Sequence, residues 1–397
     1  MAERQGFEPW VPFSRDTRLA GEHLRPTRSP LQLKQYTVST RKNQSKLFLK
    51  HDRYGINSEQ TKAYLKGSMM IDDPEIPTVN YELDLLQFRH TLLKSMREFF
   101  YDTDYLEVET PNLMRTAAPD PNIEPLKVYV DEKGPLFLHT SPEIGMKKLL
   151  LHGHKRIFQI CKVYRVEEHE EIHNTEFTML EWYREGTYID AMREVENLIS
   201  FVVERFPVSD PDKLLRPWEV HDLAKLFVKE ANINPFALHR DELFAAMQKF
   251  GFLGIDEKDR WSDLFFKLFI QEIEPPIPKE APYFIKDWPF SISTMAKRKD
   301  ANRVERFELY INGLEIANGY TELLDVSEQR QRFARDNSER MASGKQTFAV
   351  DEEFLTVLEK LQGPYAGVSI GVDRLLIALL GKDRIEEVLV DRLKIER

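Results

Sequence analysis

Apolar positions along this chain follow two rhythms, and the change between them predicts its elements. Leu85/Leu86, Leu92/Leu93, Met96 and Phe99/Phe100 recur at helical spacing until Asp102-Thr103-Asp104, which predicts a core-facing helix over 83–102. Tyr105 to Thr110 then alternates as a strand and stops at Pro111. Ile157 to Tyr164 is a second β-prone run that ends at Arg165, and a charged loop leads from it into the run His173–Tyr183. With the period of two that a strand imposes, Phe177, Met179, Glu181 and Tyr183 face one way, and Glu176, Thr178, Leu180 and Trp182 the other. This hairpin therefore presents a cation beside an aromatic ring and an acid. Such groups hold a phosphate, stack a base and grip an amine.

Between and beyond these strands the punctuation is local. Thr140-Ser141-Pro142-Glu143 precedes the apolar segment Met146–Leu151 as an N-cap, a first-turn proline and a first-turn acid. Residues 190 to 280 read mostly as helices, for instance Ala191–Val203 and Leu243–Phe250. Within Phe307–Leu323 the pair Asn312-Gly313 predicts a tight hairpin in which Ile311 faces Leu314 and Tyr310 faces Glu315. Glu308, Tyr310 and Glu315 then share a face, with the two carboxylates as diagonal neighbours, a separation of about 7 Å that suits a magnesium ion bridging phosphates. Simple parity sends Asn318, Tyr320 and Glu322 to the opposite face, so a bulge at Gly319 or its neighbours is needed to bring them back. Ala366–Ile370 reads as a strand, Gly371-Val372-Asp373 as a turn with a capping acid, and Arg374–Leu380 as an apolar helix closed by Gly381. Arg374 in a first helical turn opposes the macrodipole, and a residue placed against local preference invites a functional reading. Glu328–Arg340 reads as a charged helix face.

Composition narrows the classes. The 397 residues are 42% hydrophobic, enough for a substantial core, and the formal charge of −10 argues against a general nucleic-acid binder. Cys161 is the one cysteine, which excludes an internal disulfide and points to a reducing compartment. With no signal peptide and no membrane-length apolar run, the expected location is cytoplasmic. Residues 1–50 carry ten Lys/Arg against four Asp/Glu without periodicity, and 51–79 read as a linker, so residues 1–77 are expected to be a basic, disordered extension and 78–397 the catalytic domain. Gly6-Phe7-Glu8-Pro9 matches one reading frame of the conserved arm of a transfer-RNA gene, which points to a start assigned upstream of the true one.

In order, these features resemble the three signature motifs of class II aminoacyl-tRNA synthetases. The helix over 83–102 with the strand ending at Pro111 resembles the dimer-forming first motif, Arg165 to Glu181 the second, and Gly367 to Leu380 the third. The resemblance covers about residues 80–397, and its details are similar to lysyl-tRNA synthetase and its stand-alone relatives. It implies an α+β fold, an antiparallel β-sheet flanked by helices, in a homodimer that uses ATP and Mg2+. It also implies residue roles. Arg165 and Arg374 are the catalytic cations: Arg165 clamps the α-phosphate, while Arg374 sandwiches the adenine with Phe177 and reaches the γ-phosphate. Glu167, His173 and Asn174 border the nucleotide, and Glu308 and Glu315 bind the metal. Glu143 and Glu181 hold the substrate α-amino group, Asn318 its carboxylate, and Tyr183, Tyr320 and Glu322 its side-chain amine, with Ser141 and Ser369 against its backbone. Taken singly, most of these residues read as caps, core aromatics or solvated charges. Their joint order carries the reading.

Lysyl-tRNA synthetases carry an N-terminal anticodon-binding OB-fold, which takes roughly a hundred residues or more in five strands. Fewer than eighty residues precede the catalytic module here. This plan is similar to that of the stand-alone ligases that attach β-lysine to a lysine of elongation factor P, so the implied substrate is lysine or (R)-β-lysine, the implied partner elongation factor P, and tRNA is not expected. Charging of tRNA and a non-catalytic paralogue are the alternatives. Phe177–Tyr183 and Thr140-Ser141-Pro142 look like the ligase pattern, whereas the synthetases have alanine at the position of Ser141. Ser369 stands where the synthetases have glycine and the ligases alanine, Ile172 where the synthetases have arginine, and Thr175 where proline is common. The serine bears on isomer choice, and the isoleucine implies one γ-phosphate contact fewer.

Overall fold

The computed structural model describes residues 81–130, 134–166, 171–208 and 210–389. All of them fall in one compact unit, Asn57–Arg397. The expected extension over 1–77 lies outside the described residues, as does Glu167.

The framework is an eight-stranded sheet. Its strands are β1 (Leu106–Glu107), β5 (Arg156–Tyr164), β6 (Glu176–Glu185), β7 (Glu219–Asp222), β8 (Tyr283–Lys286), β9 (Arg306–Ile311), β10 (Leu314–Thr321) and β11 (Tyr365–Gly371). They lie in the order β1-β5-β6-β11-β10-β9-β8-β7. All neighbours are antiparallel except β1/β5 and β7/β8 at the edges. A three-stranded sheet of β2 (Leu113–Met114), β3 (Lys127–Tyr129) and β4 (Pro135–Leu138) stands beside it. The α+β architecture with an antiparallel sheet and flanking helices is the expected one.

One face of the large sheet buries the main core. Phe158, Leu180, Trp182, Phe307, Leu309, Ala317, Val368 and Ile370 meet the helices Tyr81–Asp102, Tyr188–Val203 and Val372–Leu380 there. Leu180 and Trp182 are on this side because Glu181 and Tyr183 are on the other, as the period of two requires. Buried Glu194 is satisfied on the core side by Tyr105 at 2.6 Å, Trp182 at 2.8 Å and Arg184 at 3.3 Å. A second core, from Leu223 through Ile277, packs against Tyr283, Ile285 and Tyr310.

Several local expectations shift. The strand expected over 105–110 shortens to Leu106–Glu107, and the strand expected from His173 begins at Glu176. Asp373 does not cap its helix: it accepts from Thr178 N at 2.6 Å and pairs with Arg89 at 2.6 Å. Helix Val326–Ala342 is not a solvated face throughout, because Gln329, Arg332, Asp336 and Arg340 are buried along one side. Four polar residues in that register mimic a surface pattern, and only their partners reveal the burial.

Candidate active site

The expected hairpin forms with Asn312 at φ 55° and Gly313 at φ 79°, and pairs Ile311 with Leu314 and Tyr310 with Glu315. The register then shifts between Glu315 and Ala317, so Asn318 pairs with Glu308. This bulge is the irregularity that parity demanded, placed at Ile316 rather than near Gly319. Across the sheet, Glu181 opposes Ser369, Ser369 opposes Asn318 and Asn318 opposes Glu308, making one transverse row of polar residues. The neighbouring row runs Tyr183, Gly367, Tyr320, Arg306.

These rows floor a cleft of about 450 Å³. Ser141, Glu143, Arg165, His173, Asn174, Phe177, Glu181, Tyr183, Glu315, Asn318, Tyr320, Ser369 and Arg374 all line it. Glu308 and Glu322 do not; both are buried beneath the lining. Thirteen expected site residues thus share one concavity, Glu308 and Glu322 lie beneath it, and Glu167 falls outside the described residues.

One end of the cleft is acidic and aromatic. Ser141 Oγ accepts from Glu143 N at 3.0 Å and donates to Glu181 Oε2 at 2.7 Å, while Tyr183 donates to Glu181 Oε1 at 2.6 Å. Ser141 therefore acts as the expected cap from one position before Pro142 and also aims an acid. Burial, then the charge of Glu143, pushes the Glu181 carboxyl up to about 7 against the pull of Tyr183, Ser141 and Lys147. Glu143 accepts from Tyr320 and pairs at 2.5 Å with Lys147, which also pairs with Glu322. Burial alone would lower Lys147; Glu143 and then Glu322 outweigh it and hold the ammonium up to about 12. Burial raises Glu322 above the ordinary carboxylate range, with Lys147 pulling against it. Asn318 Oδ1 and Glu322 Oε1 are buried without a hydrogen-bond partner among the described residues. An ammonium and a polar donor are what such orphaned acceptors lack.

The other end is cationic. The Arg165 guanidinium stands 5.2 Å from the centre of the Phe177 ring, and its Nε donates to Thr140 O at 3.2 Å. Arg374 Nη2 lies 2.5 Å from His173 Nε2, and its other arm is 3.7 Å from the Glu315 carboxylate. Asn174 donates to Glu176 O at 2.6 Å. Nearby, Glu308 accepts from Arg306 at 2.5 Å and Tyr310 at 2.7 Å. Burial first, and then Glu315, pushes the Glu308 carboxyl up to about 8. A carboxylate that opposes the ionisation of the acid beside it fits, with that acid, a shared divalent cation.

Sequence reasoning missed the residues that hold this site together. Arg89 Nη2 donates to Thr178 Oγ1 at 2.6 Å while Nη1 grips Asp373, so the three motif segments meet at one guanidinium. Arg332 donates to Ser293 O and Ala296 O, and Arg340 to Asp120 O and Ile123 O, fixing two of the loops that wall the cleft. Lys147 had one signal, its i+4 spacing from Glu143.

The geometry agrees with comparison to known proteins. Residues 80–390 match the model of class II tRNA synthetases (D, K and N), and the chain belongs to that family. Within it, the chain is 34% identical to an elongation factor P–(R)-β-lysine ligase of Edwardsiella ictaluri, over 80% of this chain and 97% of that protein. It is 38% identical to the ligase of the same name from Mannheimia succiniciproducens, over 76% and 92%, and 36% identical to that of Haemophilus influenzae, over 76% and 92%.

Proposed function

We propose that this protein is an ATP-dependent ligase that activates lysine, with (R)-β-lysine the preferred isomer, and passes it to a lysine side chain of elongation factor P. The observation that carries the reading is the juxtaposition, in one cleft, of an amine-binding end built by Glu143, Glu181 and Tyr183 and a phosphate-binding end built by Arg165 and Arg374. An oxygen of the substrate carboxylate, oriented by Asn318, attacks the α-phosphorus of ATP; the bond to the β-phosphate oxygen breaks, giving an aminoacyl-adenylate and pyrophosphate. A neutral amine of the acceptor then attacks the acyl carbon, loses its proton, and AMP departs. Arg165 neutralises charge growing on the α-phosphate, Phe177 offers its ring to the base, and Arg374 exchanges its contacts with His173 and Glu315 for the nucleotide. Glu308 and Glu315 are the residues that would hold magnesium, whose chemistry is charge neutralisation between phosphates.

The isomer preference rests on Ser141 and Ser369. Ser369 opposes both Glu181 and Asn318, so its side chain stands between the groups that bind the substrate's amine and carboxylate. In (R)-β-lysine these are one carbon further apart than in the α isomer. A misfit of one methylene is worth about 1–3 kcal/mol, hence about tenfold to two-hundredfold.

Exposed Leu86, Tyr101 and Leu106 along the first motif support a homodimer. No described helix is long and apolar enough to cross a membrane, which accords with the expected cytoplasmic location. The experiment is ATP-pyrophosphate exchange with each isomer, followed by transfer of labelled product to elongation factor P or to tRNA. Equal or better efficiency with α-lysine refutes the isomer, and labelling of tRNA in place of the protein refutes the acceptor.

A further inference from the structure

Lys147 belongs to none of the roles above, yet it is a cation enclosed beside the cleft, with a side chain 2% exposed. It projects from helix Glu143–Leu149 into a cage. Its ammonium is 2.5 Å from Glu143 Oε1, pairs with Glu322 Oε2, and lies 3.7 Å from Met295 Sδ. The ring centres of Tyr320, Tyr183 and Phe354 stand 5.5, 5.9 and 6.0 Å away. Every titratable group facing this cage is an acid or a phenol: Glu143, Glu181, Glu322, Tyr183 and Tyr320.

We propose that Lys147 is a specificity-determining positioning residue, the fixed counter-ion that pairs with Glu143 and Glu322 and aims them so that the end of the cleft recognises the second amine of a diamino acid. The inference rests on the lysine-activating reading. Three carboxylates converge on this end, and buried like charges this close cannot all ionise without a cation. One internal ammonium against three acids leaves two carboxyl groups without a cation of their own, and a diamino acid brings two ammonium groups. Lys147 engages one oxygen of Glu322 and leaves Oε1 without a partner. That oxygen lies against Gly367, where an added Cβ would come within 2.5 Å of it, and Gly367 lines the cleft. A single acceptor thus lies just beneath the cleft floor at Gly367. A neutral amino acid of the same length, such as norleucine, would leave it unpaired, which is the kind of deficit that gives strong discrimination.

The test is calorimetric titration of Lys147→Met with lysine, norleucine and ATP at about pH 7 and about pH 8.5. Without the cation Glu181 and Glu322 hold their protons to higher pH, so lysine binds at least about tenfold more weakly than to wild type near pH 7 and regains most of that loss near pH 8.5. ATP binding stays within about twofold, and the preference for lysine over norleucine narrows at the lower pH. Lys147→Arg, which retains the charge, keeps that preference. Unchanged lysine affinity in Lys147→Met, or a loss of the same factor at both pH values, overturns the proposal. Failure of the wild-type protein to bind lysine in the same titrations overturns the underlying reading instead. If Lys147→Met does not fold, nitrogen-15 spectra of the wild-type lysine ammonium groups, assigned through Lys147→Arg, decide the matter: a protected Lys147 signal that moves on addition of lysine is expected, and one that lysine leaves unmoved overturns it.

Discussion

Gly367→Ala isolates the amine-binding end from the rest of the cleft. The backbone at Gly367 has no positive φ, so an alanine there meets only steric resistance. Its Cβ would sit 2.5 Å from Glu322 Oε1, 2.5 Å from Tyr183 Cε1 and 3.0 Å from Tyr183 Cδ1. Ordinary contacts to carbon begin near 3.5 Å, so both neighbours must retreat by roughly 1 Å. Neither retreats freely: Tyr183 is tied to Glu181 and Glu322 to Lys147. Gly367 also pairs with Tyr183 on β6 and Tyr320 on β10, so displacement passes into both strands. Overpacking of this kind costs about 1–3 kcal/mol of stability, a fall in Tm of a few degrees. Lysine binding loses its seat, and about tenfold to two-hundredfold in lysine KM is expected. Arg165, Phe177 and Arg374 touch neither neighbour, so the KM for ATP stays close to wild type. Exchange assays varying lysine at saturating ATP, then ATP at saturating lysine, separate the two ends. A folded variant with wild-type lysine KM, or one whose ATP KM rises equally, refutes the assignment of this end to the amine.

Other outcomes follow from the same geometry. Arg165→Ala removes the phosphate-facing cation and is expected to lower exchange by about 10² to 10³ in rate; wild-type exchange would sink that role. Asp373→Asn weakens a buried ion pair with Arg89, and loss of such a pair costs about 3–5 kcal/mol, so Tm by calorimetry drops further than in Gly367→Ala; an unchanged Tm counts against the cross-motif link. Glu181 and Glu308, held up to about 7 and about 8 by burial, bind protons in the folded state that the unfolded chain releases above about pH 4.3, so their contribution to ligand-free stability is lost as pH rises through 7 and 8. Tm of the ligand-free protein should therefore fall between about pH 6 and 8.5, and a Tm that climbs across that interval contradicts the assignment. Deleting residues 1–77 is expected to leave folding and exchange intact, and loss of either in the truncated protein would show that the segment works.

Reading the sequence recovered those parts of the site whose chemistry and period coincide. On β6 the alternation sorted Phe177, Glu181 and Tyr183 from Leu180 and Trp182 because one face is core and the other is cleft. At the hairpin, Asn312-Gly313 set the register outright, since both positions adopt positive φ. The bulge at Ile316 was inferable only from the conflict it resolves; nothing in Glu315-Ile316-Ala317 marks it locally. The misreading of 328–340 has a different origin. Arg332 and Arg340 look like surface residues by composition, and they are buried only because carbonyls distant in the chain, at Ser293, Ala296, Asp120 and Ile123, converge on them. Side-chain identity cannot report a partner 36 to 220 residues away.

What joins the two kinds of residue is the contact of Arg89 with Asp373 and Thr178. Arg89 lies on the first-motif helix, Thr178 on β6, and Asp373 in the first turn of the helix that presents Arg374. Asp373 also accepts from Thr178 N, one residue after Phe177, so Phe177 and Arg374 each neighbour a residue tied to a single carboxylate cluster. If the first-motif helix is the dimer contact, as its exposed Leu86 and Tyr101 support, then pairing of subunits bears directly on Arg89. The geometry of the nucleotide end would then depend on assembly through the two hydrogen bonds of 2.6 Å that Arg89 makes.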